Sequence, residues 1–220
     1  MKLSRREFVG AVAAGAVATQ AMSVKGRVLD LGRDCVLRES VAGFCATGVR
    51  VCFEIEHRQE CLFYVVAGAG ELPELVLWQL AACVRGGGWV IFESAAGYGG
   101  FNAQRGQLER YFGLRIDAPV RLAEDRAPYV DYGWPVELKV RDFSSVVPVA
   151  SGGDEIIATV GDLPVAARRG RFIFLGSPIG PALLAGDREA HAWFNALALL
   201  PSGPGPLSRF RFSARSRRAT

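Results

Sequence analysis

Residues 61–112 read CLFYVVAGAGELPELVLWQLAACVRGGGWVIFESAAGYGGFNAQRGQLERYF, and this stretch decides the fold. It begins with an unbroken apolar run, Cys61 to Ala67, which is typical of a strand buried on both faces of a sheet. A glycine-rich turn and Pro73 then lead into a segment with apolar residues at helical spacing. Three glycines end that helix, a second buried strand covers Trp89 to Phe92, and a second helix runs from about Ala103 to Phe112.

The first of these helices is predicted to pack one apolar face on a sheet. Val76, Leu80 and Val84 recur every four residues, and Leu75 and Cys83 stand beside them. Strand, helix, strand and helix in this order form a βαβα unit, which predicts parallel strands covered by helices.

The second half of the chain is richer in strands. Short apolar segments separated by turn residues predict strands at Val136–Val140, Val146–Val149, Ile156–Val160, Val165–Arg168 and Phe172–Leu175. Strands so closely spaced favour an antiparallel extension of the sheet. A closing helix is predicted from Asp187 to Leu200.

The N-terminus resembles a twin-arginine export signal. Ser4-Arg5-Arg6-Glu7-Phe8 precedes an apolar, small-residue run that is too short to span a bilayer as a mature helix. The alternative interpretation is the start of a basic amphipathic helix. We expect residues 1–21 to be a signal peptide cleaved after Ala21, with Ala18 as the competing site, and the protein to be periplasmic or secreted. Arg5, Arg6 and Phe8 are the signal residues.

Charge and composition describe one globular domain with charged ends. Half of the residues are hydrophobic and 22% are charged, and the net charge is +4. Residues 201–220 contain five arginines and no acidic residue, so the body at 22–200 is acidic and a nucleic-acid partner is not expected. We predict a domain at 22–200, a disordered basic tail at 201–220, and no membrane span once the signal is removed.

The cysteines and histidines do not predict a metal site or a cofactor. The five cysteines have none of the paired spacing of a zinc site, and the two histidines, His57 and His191, are far apart in the chain. Most of the cysteines lie in apolar surroundings, where a buried thiol acts as a small hydrophobe. The sequence leaves open whether two of the cysteines form a disulfide.

Two segments resemble the class I glutamine amidotransferase-like superfamily, in the non-glutaminase branch that includes the trimerisation-type domain of some β-galactosidases. They are Val84–Glu93, with its glycines before a strand, and Gly170–Gly180. The resemblance covers roughly residues 60–200 and implies a flavodoxin-like, three-layer α/β sandwich, with a mostly parallel sheet and an antiparallel extension in the second half.

The same resemblance implies that the catalytic residues of the glutaminases are missing. Those enzymes place a Cys on a tight turn after a strand and a His after a late strand. Here the turn after Phe92 offers Ser94, and Ser177 stands where the His is expected. A nucleophile with no imidazole beside it lacks its usual activation.

Four residues are candidates for a ligand crevice at the carboxyl edge of the parallel strands: Glu93, Ser94, Tyr98 and Ser177. The two loops contain no Lys or Arg, which favours a neutral hydroxylated ligand over a phosphate. The alternative is that Ser94 and Ser177 only satisfy the backbone of their turns.

The sequence therefore predicts an exported, non-catalytic binding or assembly module, whose small-molecule or protein partner is unknown and which can be oligomeric. The alternative is a thiol or serine hydrolase acting on amide or ester bonds outside the cytoplasm, which requires a nucleophile paired with His57 or His191.

Overall fold

A computed structural model describes residues 26–32, 35–55, 63–122, 129–141, 145–150 and 152–200. The predicted export signal with Arg5, Arg6 and Phe8, the predicted tail at 201–220, and His57 and Cys61 lie outside these ranges. The division of the chain at residues 21 and 200 therefore stays a prediction.

Strands and helices alternate through the first half of the described chain, and strands predominate in the second half. In chain order the elements are β1 Gly26–Leu29, α1 Arg38–Ala46, β2 Arg50–Cys52, β3 Phe63–Ala69, α2 Glu74–Arg85, β4 Trp89–Ser94, α3 Phe101–Phe112, β5 Val120–Arg121, β6 Tyr129–Tyr132, β7 Leu138–Arg141, β8 Ser145–Val146, β9 Glu155–Val160, β10 Leu163–Arg169, β11 Phe172–Leu175, α4 Gly180–Leu184 and α5 Arg188–Ala198.

The main sheet contains nine strands in the order β2-β1-β3-β4-β11-β10-β9-β6-β7. The first five of these run parallel, and the pairs from β11 to β7 are antiparallel. The predicted fold class is confirmed: the protein has a mostly parallel, flavodoxin-like sheet with an antiparallel part in the second half. A separate pair, β5 and β8, forms a small two-stranded sheet.

Helices cover both faces of the sheet and divide the core in two. On one face, Phe44 of α1, Leu183 of α4 and Trp193 of α5 belong to one buried cluster. On the other, Leu77 of α2 and Leu108 of α3 belong to a second cluster. The two faces explain why all seven residues of β3 are buried, as its unbroken apolar sequence predicts.

The predicted apolar face of α2 packs on the core, with the exception of Leu75. Leu80 is buried, and Val76, Cys83 and Val84 pack against the second cluster, as predicted. Leu75 is 67% exposed, so its predicted place beside the core is wrong. The helix has apolar side chains on both sides, and the four-residue repeat alone does not show that Leu75 lies outside the buried face.

Helices α1 and α4 approach each other closely enough to require glycine. A Cβ built on Gly43 of α1 would lie 1.9 Å from the carbonyl oxygen of Gly180, and one built on Gly180 would lie 2.4 Å from the Cα of Ser40. Backbone therefore meets backbone at this crossing, which brings the N-terminus of α4 against α1. None of the described helices is long and apolar enough to cross a bilayer.

Candidate functional site

The predicted site residues follow two neighbouring parallel strands. Glu93 and Ser94 end β4, and Ser177 comes two residues after the end of β11. Glu93 is in register with Leu175 of β11, so these residues lie at the same edge of the sheet. Tyr98 lies in the loop that joins β4 to α3.

Glu93 is the most unusual of the four, because its carboxylate is fully buried at 0% exposure. One oxygen, Oε2, accepts a hydrogen bond of 2.8 Å from the Gly68 amide near the end of β3. The other, Oε1, accepts one of 2.6 Å from the Gly180 amide at the start of α4. A single side chain of β4 thus joins a neighbouring strand to a helix that begins 87 residues later.

The environment of Glu93 favours its neutral form. Burial raises the pKa of this carboxyl; the hydrogen bonds from the Gly180 and Gly68 amides and the nearby Ser40 hydroxyl lower it without reversing the rise. The Ser40 hydroxyl is itself fully buried and has no partner of good hydrogen-bond geometry among the described residues. Ser40 and Glu93 therefore form a polar pair in an otherwise apolar interior.

Ser94 is held in a second polar cluster on the other side of β4. Its hydroxyl donates a short hydrogen bond to Oε1 of Gln104 on α3 and accepts one of 3.2 Å from the Ala96 amide. The side-chain nitrogen of Gln104 donates to the carbonyls of Ala69 and Gly70, each at 2.8 Å. These bonds tie α3 to the ends of β3 and β4, and they engage the Ser94 hydroxyl.

Ser177 follows a turn that is packed between other backbone segments. The Gly176 amide donates to the Val165 carbonyl at 2.7 Å, and the Gly176 carbonyl accepts from the Val147 amide at 2.8 Å. A Cβ on Gly176 would lie 1.9 Å from the Val147 oxygen, so only glycine fits here. Ser177 is 4% exposed as a result.

Of the four predicted residues, Tyr98 alone is well exposed, at 47%. Glu93, Ser94 and Ser177 lie below the surface, so a ligand at this edge would meet Tyr98 first and would reach the Ser94 hydroxyl only after local movement. Binding of a ligand by these residues stays a prediction.

The segment before α1 covers the point where the strand order reverses, between β1 and β3. The Val36 and Leu37 amides donate to the Gly68 carbonyl at 2.8 and 3.2 Å. The backbone of Cys35 pairs with that of Ala69 in an isolated antiparallel β-bridge. Gly68 has φ of +58°, and a Cβ there would lie 2.5 Å from the Leu37 carbonyl oxygen. Open sheets of this type leave a crevice at this point, and here the segment before α1 is hydrogen-bonded to the end of β3 beside it.

Cys35 is buried within that segment. Burial, followed by the charges of Asp30 and Glu93, raises the pKa of its thiol. The thiol donates to the carbonyls of Leu37 at 3.3 Å and Ala67 at 3.6 Å. A protonated, hydrogen-bonded thiol is a poor nucleophile.

Sequence reasoning missed Ser40, Gln104 and the segment from Cys35 to Leu37. Cys35 contacts Ala67, which is 32 residues away, and Gln104 contacts Ala69, which is 35 residues away, and no local motif signals such contacts. The Nε2 atom of His191 on α5 lies 3.0 Å from the Leu183 carbonyl of α4, so the His191 ring makes a structural contact between these two helices. Among the described residues, no group of three or more His, Cys, Asp or Glu side chains is placed to hold a metal ion.

Solved structures share this fold at low sequence identity. A β-galactosidase from the psychrophilic Marinomonas ef1 matches with a TM-score of 0.58 and 16% identity, over 79% of this chain and 29% of that one. A β-galactosidase from Rahnella sp. R3 matches with a TM-score of 0.56 and 14% identity, over 79% and 30% of the two chains. A glutamine amidotransferase matches with a TM-score of 0.50 and 20% identity, over 80% and 99%.

These likenesses show the fold that the amidotransferase-like resemblance implies. The chain spans about 30% of the length of the β-galactosidases, so it is similar to a part of those proteins. No protein-family model and no curated protein sequence matches the chain.

Proposed function

We propose that this chain is an exported, non-catalytic module of amidotransferase-like fold that binds or assembles with another molecule outside the cytoplasm. The observation that carries the non-catalytic part is the burial of Glu93 and Ser94 at 0% and 1% exposure. Glu93 binds the Gly68 and Gly180 amides, and Ser94 binds Gln104. Both side chains are thus engaged at the strand end from which a nucleophile would have to reach solvent.

The export part of the proposal rests on Arg5 and Arg6 in front of the apolar run. Replacing both by Lys keeps the charge but removes the guanidinium geometry that an export receptor reads. We expect the double variant to stay in the cytoplasm, whereas Lys2→Arg, which leaves the pair intact, is exported normally. Equal amounts of the double variant and the wild type in the periplasmic fraction would remove the export assignment.

A link to carbohydrates is supported by the similarity of the fold to solved β-galactosidase structures. It is also supported by the loops that follow β4 and β11, which contain no Lys or Arg. Tyr98, exposed at the carboxyl edge, is suited to packing on a neutral hydroxylated ligand. If a galacto-oligosaccharide binds here, Tyr98→Ala weakens binding in calorimetry, and Tyr129→Ala, at a tyrosine of similar exposure in β6, leaves it unchanged.

The competing hydrolase needs an accessible nucleophile with a histidine. Ser94 donates to Gln104, Cys35 donates to two carbonyls, and the His191 ring contacts the Leu183 carbonyl. These contacts favour the non-catalytic assignment over the hydrolase.

Assaying the purified full chain with glutamine and with p-nitrophenyl acetate separates the two functions. We expect no ammonia or nitrophenol release above that of the Ser94→Ala and Cys35→Ala variants. Turnover by the wild type that either substitution abolishes would overturn the non-catalytic assignment.

A further inference from the structure

Helix α2 carries an apolar stripe that the fold leaves uncovered. Leu75 and Trp78 are 67% and 56% exposed, Ala82 is half-buried, and Arg85 is exposed. Their spacing of three, four and three residues places them on one side of the helix, facing away from the buried Leu77 and Leu80. We call these four residues the α2 stripe.

The stripe differs from ordinary scattered surface apolar residues. Single exposed hydrophobic side chains are common on soluble proteins, but a Leu and a Trp on adjacent turns form one contiguous patch. Tryptophan is enriched at the centres of protein interfaces, where a flat, large side chain contributes most.

The charges at the two ends of α2 are opposite and available. Glu71 is exposed just before the helix, and Arg85 is exposed in its last turn. Glu74, by contrast, is paired with Arg110 of α3 at 3.1 Å. Within the described ranges, neither Glu71 nor Arg85 takes part in an ion pair. An acidic start and a basic end make the stripe complementary to a second α2 that runs in the opposite direction.

We infer that the α2 stripe is a contact between two copies of this chain, in which the two α2 helices pack antiparallel about a two-fold axis. The spacing sets the layers: Trp78 lies opposite the small Ala82 of the second copy, and Leu75 lies opposite the aliphatic stem of Arg85. The guanidinium of Arg85 then reaches Glu71 of the second copy. A two-fold axis repeats each of these contacts, as an isologous interface requires.

The interface is small, and this sets the conditions of the test. A helix of 12 residues is about 18 Å long, so the buried area falls at the low end for specific interfaces. We therefore expect association in the range of about ten to several hundred micromolar. The inference rests on the assembly role proposed above, but its surface and its test are separate from export and ligand binding.

The first experiment follows the weight-average mass of the full chain by light scattering as concentration rises. We expect the wild type to approach twice the monomer mass, and Trp78→Ala to raise the dissociation constant about tenfold or more. Leu199→Ala is the matched control, because Leu199 is 61% exposed just after the end of α5, away from α2, and its loss leaves the dimer unchanged. Circular dichroism checks that each variant is folded.

The second experiment tests charge complementarity. Glu71→Arg places like charges opposite Arg85, and Arg85→Glu places like charges opposite Glu71, so each variant alone is expected to be monomeric. Mixed in equal amounts, the two variants place opposite charges at both ends and form a heterodimer with restored mass.

A wild type that stays monomeric at several hundred micromolar overturns the inference, whether α2 serves another partner or none. A dimer insensitive to Trp78→Ala, or a mixture of the charge variants that stays monomeric beside a dimeric wild type, overturns it too. Export and ligand binding by a monomeric protein would leave the proposed function intact.

Discussion

Substitution of Gly43 by alanine tests the crossing of α1 and α4 on which the site depends. The new Cβ would lie 1.9 Å from the Gly180 carbonyl oxygen, whereas ordinary contacts begin near 3.4 Å. The obstacle is backbone, so a side-chain rotation cannot relieve it, and α1 and α4 must separate by about 1.5 Å.

The expected loss of stability has three contributions. Overpacking a buried contact costs about 1–3 kcal/mol. Separation also pulls the Gly180 amide from Glu93, now 2.6 Å away, and an unsatisfied buried N–H costs about 1–3 kcal/mol. The higher helix propensity of alanine offsets about 0.5–1 kcal/mol of this loss of stability. The net loss is therefore about 3 kcal/mol, which lowers the melting temperature by about 6–12 °C for a domain of this size.

Gly106→Ala is the matched control for this substitution. Gly106 lies inside α3, and a Cβ there has no atom within 4 Å. It should therefore stabilise the protein by about 0.5–1 kcal/mol through helix propensity alone. Urea unfolding followed by circular dichroism measures both variants. If Gly43→Ala is as stable as Gly106→Ala, the two helices do not meet through their backbones and the reasoning fails.

Three further substitutions test the polar clusters and one helix cap. The folded-state pKa of Glu93 is raised above its ordinary value of 4.5, so the folded protein gives up stability as pH rises through that raised pKa. The unfolding free energy of the wild type relative to Glu93→Gln should thus fall as the pH rises above 4.5, and a rise in that difference over the same titration would contradict the direction. Gln104→Leu leaves the Ala69 and Gly70 carbonyls and the Ser94 hydroxyl without their hydrogen-bond partner. We expect the free energy of unfolding in urea to fall by about 2–4 kcal/mol. A fall of less than about 1 kcal/mol would mean that these bonds contribute little. Asp187→Ala removes the side chain that caps α5 through the Glu189 and Ala190 amides, and thermal unfolding should show a loss of about 1 kcal/mol; no change would show that water replaces the cap.

Periodicity was sufficient to predict most of the central elements. The unbroken apolar run before Gly68 became the fully buried strand β3, and the predicted strand Phe172–Leu175 was found with the same bounds. The predicted helix ending at Phe112 begins only two residues earlier than expected. These features depend on neighbouring residues in the chain, which is the range over which sequence patterns carry information.

The sequence did not predict β1, α1, α4 or the exposure of Leu75 on α2. Strand β1 is only four residues long and α4 only five, so each is too short for a hydrophobic pattern to stand out from its surroundings. On α2, apolar residues stand on both sides, and the exposure of Leu75 and Trp78 follows from how the helix lies on β3 and β4.

The amino-acid sequence by itself determined the α/β class, the parallel βαβα unit, the antiparallel second half and the position of Glu93 and Ser94 at a strand end. Only the tertiary structure decided that these two side chains are buried. The Gly68 and Gly180 amides that hold Glu93 lie 25 and 87 residues from it, and Gln104, which holds Ser94, is positioned by a helix packed on the opposite face from α4. A polar residue at the end of a strand can open to solvent or bind backbone. The choice depends on which distant segments arrive beside it, and that information is carried by three-dimensional packing, not by local pattern.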